Sequence, residues 1–262
     1  PRFTLQGFEF VQGVQMALDS MPVYGANVSA SIFDSKSYTK SIQTLVATKQ
    51  LDSFNLIIGN VRDAEYLQLA GFAQKNNIPF ISATYPNDGG ITANPFVAII
   101  NSTLKAHCEA IYSYILQNHG TSNILLVRKP GSQEDKVASY FQNINTPDGK
   151  GLLPIKTVNI ESDSFAVLKP LLDSGKRTII IGASLNESFA GKLAAYFSEL
   201  NGLYPTTLFG MPSWDAFSLI KKKNGPKDYN IYFTTPYYNN RADGKSRMIK
   251  ELYRAKFRGS PS

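Results

Sequence analysis

Apolar and polar positions along this chain alternate between a helical period and short, nearly continuous apolar runs. From Phe8, the residues Val11, Val14, Leu18 and Met21 fall at helical spacing until Pro22 stops the pattern. A short alternating stretch at 28–33 (VSASIF) predicts a strand, and helical spacing returns over 38–51 through Ile42, Leu45 and Val46. The run 55–61 (NLIIGNV) predicts a strand buried on both faces, and Asp63 is placed to cap a helix reaching about Lys75. Another buried strand is predicted at 79–83 (PFISA), before a loop rich in Pro, Asn, Asp and Gly at 86–90.

The second half repeats the alternation. Helices are predicted over 103–117, 132–143, 164–173 and 187–203, with strands at 123–127 (NILLV), 153–160, 177–181 (RTIII), 206–209 and 230–234. A final helix at 243–257 is expected to turn Met248, Leu252 and Tyr253 inward and its Lys and Arg residues outward. Strands alternating with helices predict βαβ units and parallel sheets covered on both faces. So many strands exceed one comfortable sheet, so the expected class is α/β with two doubly wound lobes.

Composition narrows the functional classes. At 262 residues and 43% hydrophobic, the chain has ample core material, and its one cysteine, Cys108, excludes an internal disulfide framework and a Cys-based zinc site. The longest apolar runs fall far short of a membrane span. The net charge of +7 is uneven. Residues 1–121 hold 7 basic and 8 acidic side chains, residues 122–220 hold 9 of each, and residues 221–262 hold 11 basic and 3 acidic. The basic end is either an attractor for anionic partners or a solvated helix face.

Catalytic motifs fail one by one. No GxGxxG follows the first strand, and Gly244-Lys245-Ser246 lacks the first P-loop glycine because Asn239 stands there. Ser184 follows a strand in GASLN, but Asn186 replaces the second glycine of a nucleophile elbow. His107 and His119 read as structural or solvent-facing, and Cys108 shares an apolar stripe, so it reads as an inert thiol. The run Lys221-Lys222-Lys223 lacks interleaved aromatics and reads as a solvated loop rather than a nucleic-acid contact. No cofactor and no metal is expected, and no catalytic residue is assigned.

The strand ends carry a resemblance. FVQGVQMALDSM, a strand ending in Asp34, LIIGN and AQKNNIPFISATYP together resemble the type I periplasmic binding proteins, the leucine/branched-chain amino-acid-binding family shared with extracellular receptors. RFTLQGFEFVQGVQMALDS, LFGMPSW, YFTTPYY and YRAKFRGSPS are similar to a subgroup of Bacteroidetes-type envelope proteins that join such a domain to a LysM peptidoglycan-binding module. The resemblance covers essentially the whole chain. It implies that the family's first strand and its C-terminal completing segment lie outside this chain, together with any signal segment. It also implies lobe 1 from residues 1–100 with 239–262 and lobe 2 from 101–238, with crossings near Asn101 and at 234–238.

By position, the resemblance places ligand contacts in a cleft between the lobes. Asn60, Arg62, Ser82, Ala83 and Thr84 would contribute from lobe 1, and Lys129, Ser184, Met211 and Trp214 from lobe 2. Hydroxyls and free helix-start amides suit a carboxylate, and Tyr85 or Trp214 would stack on an apolar or sugar face. The chain departs from the amino-acid binders in two places. NVRDAEY stands where they carry a Ser/Thr-rich loop, and LFGMPSW offers no acidic partner for a ligand ammonium, Asp215 being read as the cap of the helix that follows.

Three readings follow. The first is a non-catalytic, bilobed solute-binding or sensing domain of the bacterial periplasm or cell envelope, taking a small polar ligand and serving a membrane transporter or a peptidoglycan-associated partner. The second is an envelope scaffold whose cleft is degenerate and whose basic end meets anionic partners. The third is an enzyme on a doubly wound fold.

Overall fold

Every strand pair in the computed structural model is parallel, so the chain must return over a sheet face after each strand. The structure describes residues 2–87, 89–91, 93–161, 164–221, 229–236 and 242–260. Lys222, Lys223, Asn239 and Tyr238 of the second expected crossing lie outside the described residues. The chain divides into two compact units, Pro1–Asn101 with Tyr237–Ser262, and Ser102–Pro236.

The first unit holds α1 (Arg2–Ser20), α2 (Ile42–Ala47), β1 (Ile57–Gly59), α3 (Asp63–Asn76), β2 (Phe80–Ser82), β3 (Val97–Ile99) and α8 (Gly244–Phe257). Its sheet order is β1-β2-β3. Tyr66, Leu69, Ala70 and Ala73 of α3 pack with Phe80, Leu45 and Val61 into one apolar core. On the other face, the in-register residues Ile58 and Ala98 are exposed and Ile81 is half buried. Residues 28–33 form no strand. Their alternation is real, but no neighbouring strand pairs with them among the described residues, and all but Phe33 are exposed.

Asp63 does not cap α3. Arg62 takes the capping position without a side-chain bond, and Asp63 sits inside the helix at φ 51°, its carboxylate accepting from the Tyr85 hydroxyl at 3.0 Å. The last helix also departs from expectation, since Tyr253 is buried but Met248 and Leu252 are exposed.

The second unit holds α4 (Leu104–His119), β4 (Asn123–Arg128), α5 (Ser132–Asn145), β5 (Ile155–Asn159), β6 (Thr178–Gly182), α6 (Glu187–Leu200), β7 (Thr206–Gly210), α7 (Ser218–Lys221) and β8 (Ile231–Phe233). The predicted helix at 164–173 is a 3-10 segment, Ala166–Leu171, because Pro170 supplies no backbone N–H. Strand order is β5-β4-β6-β7-β8. The chain therefore leaves β4 in one direction to β5 and returns to its other side at β6. Right-handed crossovers then put α5 and α6 on opposite faces.

The central strands read as continuous apolar runs and are buried throughout in β6 and β7. Their core joins Ile111 and Ile115 of α4, Val137 and Phe141 of α5, and Leu193 and Phe197 of α6. A buried polar knot closes the α5–β5 corner. Asn145 accepts from the Tyr112 hydroxyl at 2.9 Å and from the Leu153 amide at 2.8 Å, and donates to the Leu153 carbonyl at 3.0 Å. Among the described residues, no helix is long and apolar enough to cross a membrane.

Phe80 is fully buried at the centre of the first unit's core. Phe80→Ala is expected to cost about 3–5 kcal/mol of stability, read from the urea midpoint at unchanged m-value.

Candidate functional site

In doubly wound sheets the useful surface lies beyond the carboxyl ends of the strands, where the chain reverses direction across the sheet. In the second unit that point falls between β4 and β6, and a recess of about 220 Å³ opens there. It is lined by Lys129 and Pro130 after β4, Ile160 and Glu161 after β5, and Asn186, Ser188 and Phe189 at the start of α6. A second recess of about 380 Å³ shares Ile160 and Glu161 and continues over Asn159, Ser164 and Val167. Of these lining residues, the sequence reading named Lys129 alone as a ligand contact.

The local chain explains each position. The Ile160 amide donates to the Arg128 carbonyl at 2.7 Å, carrying the β4–β5 pairing one residue past the strand, so Glu161 emerges beside Lys129. The Asn186 side chain accepts from the Phe189 amide at 2.9 Å and caps α6 at the recess wall. Arg128 turns away from the recess to pair with Asp135.

Beneath the recess lies a buried polar group. Ser184, fully buried, donates its hydroxyl to Glu134 at 2.6 Å and accepts from the Asn186 amide at 3.1 Å. Glu134 is itself buried and has no cationic partner among the described residues. It sits in the first turn of α5, where the helix dipole favours a carboxylate. Gly131 must be glycine, because its φ is 152° and a Cβ would fall 2.4 Å from a Glu134 carboxylate oxygen. Sequence reasoning missed Glu134, although it lies three residues before Val137 and seven before Phe141, on one apolar stripe.

Met211 and Trp214 are fully buried. The Trp214 indole lies across the paired glycines Gly182 and Gly210, whose added Cβ atoms would come within 2.5 Å and 2.3 Å of it. Its N–H donates to the Ser184 carbonyl at 2.8 Å. Trp214 thus fills the strand ends of β6 and β7 and presents no free ring face. Asp215 lies inside the 3-10 segment Pro212–Ala216 and does not cap the next helix. Glu187 does so, accepting from the Leu219 amide at 3.1 Å and the Ser218 hydroxyl at 2.6 Å.

In the first unit, strand pairing brings Asn60, Ser82, Ala83 and Thr84 together at the ends of β1 and β2. The Thr84 hydroxyl donates to the Asn60 side chain, the Ala83 amide to the Gly59 carbonyl at 3.0 Å, and the Asn101 amide to the Thr84 carbonyl at 2.7 Å. Ser82 is fully buried, and its hydroxyl has no partner among the described residues. The Asn101 side-chain oxygen is also without one. Arg62 is exposed, and Tyr85 packs against Tyr66 with its phenol held above the usual value by burial and by Asp63.

Of the remaining reactive side chains, Cys108 and His107 are buried and His119 is half buried. Burial pushes the Cys108 thiol up to about 12, and burial lowers both histidines, with Arg177 adding to the effect at His119. The His107 ring shares a 2.8 Å hydrogen bond with the Thr234 hydroxyl. Among the described residues, no three His, Cys, Asp or Glu side chains gather as a metal site would need.

A family model described as periplasmic binding protein matches residues 3–262, and the chain belongs to that family. No curated protein matches it. Among solved structures it is similar to a candidate branched-chain amino-acid ABC transporter from Rhodospirillum rubrum, at 12% identity and TM-score 0.71, over 98% of this chain and 74% of that one. It is also similar to an ABC transporter substrate-binding protein from Desulfitobacterium hafniense in complex with Leu, at 13% identity and TM-score 0.57, over 97% and 74%. A third is the branched-chain amino-acid substrate-binding protein LivJ of Streptococcus pneumoniae in complex with isoleucine, at 17% identity and TM-score 0.53, over 95% and 72%. At these identities the likeness concerns the two-lobed α/β fold.

Two measurements check this geometry. Gly210→Ala, which drives a methyl into Trp214, is expected to lose about 1–3 kcal/mol and to shift the emission of this sole tryptophan to the red. Cys108 is expected to resist a disulfide reagent at pH 8 in the native chain and to react once urea unfolds it, since only the thiolate attacks.

Proposed function

We propose that this chain is a non-catalytic solute-binding domain of the bacterial envelope, taking a small amphoteric molecule of the amino-acid class. One observation carries the reading. The recess at the chain-reversal point of the second unit holds one cation, Lys129, and one carboxylate, Glu161, with Ile160 and Phe189 as apolar wall. A zwitterion with a short apolar body complements all three surfaces. Glu161 supplies the acidic group for an ammonium that LFGMPSW lacks. Asn186, Ser188 and Lys129 suit a carboxylate.

In the first unit, Asn60, Ser82 and Thr84 add hydroxyl and amide groups of the same polar kind, and the unpartnered Ser82 hydroxyl supports a binding role for these strand ends. Arg62 and Ala83 border them in sequence and complete the first unit's proposed set. Ser184, Met211 and Trp214 act behind the recess, holding its floor. The periplasm, delivery to an ABC-type membrane transporter, and membership of the LysM-associated envelope subgroup belong to the same proposal, supported by family membership and by the LFGMPSW and YRAKFRGSPS segments.

The test is calorimetric titration of the native protein with leucine, isoleucine, glutamate, glucose and a muropeptide. Saturable heat with an amino acid is expected. Glu161→Gln and Lys129→Met are each expected to weaken it about tenfold to a hundredfold, as loss of a charged hydrogen bond does. Glucose binding with no amino-acid response, or no response to any ligand, would overturn the reading.

A further inference from the structure

The recess beside Lys129 does not stop at Glu161. The larger recess, about 380 Å³, shares Ile160 and Glu161 with the first, of about 220 Å³, so the two form one continuous trough. Lys129 and Phe189 belong to its first end, and Asn159, Ser164 and Val167 to its second. All of these residues lie in the second unit. Glu161 therefore stands at the junction of the trough rather than at a closed end.

The second end is fixed by its own local structure. Asn159 is the last residue of β5 and pairs in register with Arg128, and Ile160 after it is buried. Val167 lies in the 3-10 segment Ala166–Leu171, flanked by the buried Phe165 and Leu168, yet is itself 54% exposed. Anchored backbone thus holds an amide and an aliphatic side chain at the surface of the trough. Lys129 is the only cation among the lining residues and Glu161 the only carboxylate. Neither has an ion-pair partner among the described residues.

We propose that the trough takes a dipeptide in preference to a free amino acid, an inference that rests on the amino-acid-class reading above and narrows it. The C-terminal carboxylate meets Lys129, with the C-terminal side chain against Ile160 and Phe189. The N-terminal residue enters the second end, its ammonium at Glu161 and its side chain on Val167. Three observations select this ligand. The first recess alone is smaller than the roughly 300–1000 Å³ usual for ligand sites, and the whole trough falls inside that range. Asn159 carries donors and an acceptor and Ser164 a hydroxyl, which match the N–H and C=O of a peptide link and find no match in a hydrocarbon side chain. One cation and one carboxylate along the trough fit one carboxylate and one ammonium, so a second charged group on the ligand has no counterpart.

The test is calorimetric titration of the native protein with leucine and with valyl-leucine. The dipeptide is expected to bind about tenfold more tightly, as an added apolar contact and hydrogen bond provide. Val167→Asp and Asn159→Ala, both at exposed positions, are each expected to remove most of that gain. They are expected to leave leucine affinity and the melting temperature unchanged. Leucine binding as tightly as the dipeptide would overturn this inference and leave the amino-acid reading standing. So would an equal loss of both ligands, or of neither, in the two variants. Absence of heat from both ligands would overturn the inference together with the reading on which it rests.

Discussion

The contact of the Trp214 indole with two glycines shapes the strand-end surface of the second unit. Gly182 and Gly210 are direct partners across β6 and β7, and only hydrogen at both Cα atoms lets an indole lie flat across them. With its ring face used and its N–H given to the Ser184 carbonyl, Trp214 closes that half of the strand-end surface. The open half is over β4 and β5, where Lys129 and Glu161 stand. The recess is therefore placed by a packing constraint rather than by its own polar residues.

Ser184 joins the floor to the wall. Its carbonyl receives the indole, its hydroxyl is shared between Glu134 and the Asn186 amide, and Asn186 faces the recess. Burying a carboxylate without a cation is costly, and the α5 dipole together with the Ser184 hydroxyl offsets part of that cost. Two hydrogen bonds thus run from Asn186 through Ser184 to Trp214. The first unit has no comparable plug at Ser82 and Asn101, whose buried oxygens remain unpartnered among the described residues.

Much of this was legible in the sequence, for identifiable reasons. NILLV, RTIII and TTLFG are apolar without alternation, which only a strand covered on both faces tolerates, and all three became central strands. The stretch at 28–33 alternates just as a strand would, yet alternation describes one chain while a strand requires two. β3, Val97–Ile99, was not read from the sequence, although it lies in the apolar run 96–100 (FVAII), the same kind of signal that marked β1 and β2. Met248 and Leu252 were expected inside because an amphipathic stripe says that a face is apolar, not that something covers it. Lys129, named for its place directly after a buried strand, lines the recess. Glu161, which lines it too, was not named, because its neighbourhood to Lys129 depends on the β4–β5 register.

The central claim is the proposal that the recess takes a small zwitterion, and Asn186 and Ser184 link the recess wall to the buried Trp214. Trp214 is the only tryptophan, so tryptophan fluorescence reports on the surroundings of this one buried indole. Titrating the native protein with leucine and isoleucine while following that emission tests the claim most directly. The account predicts a blue-shifted starting spectrum, from a fully buried indole, and a saturable change that disappears in Glu161→Gln. An emission typical of a water-exposed indole, or a spectrum indifferent to both amino acids, would contradict it.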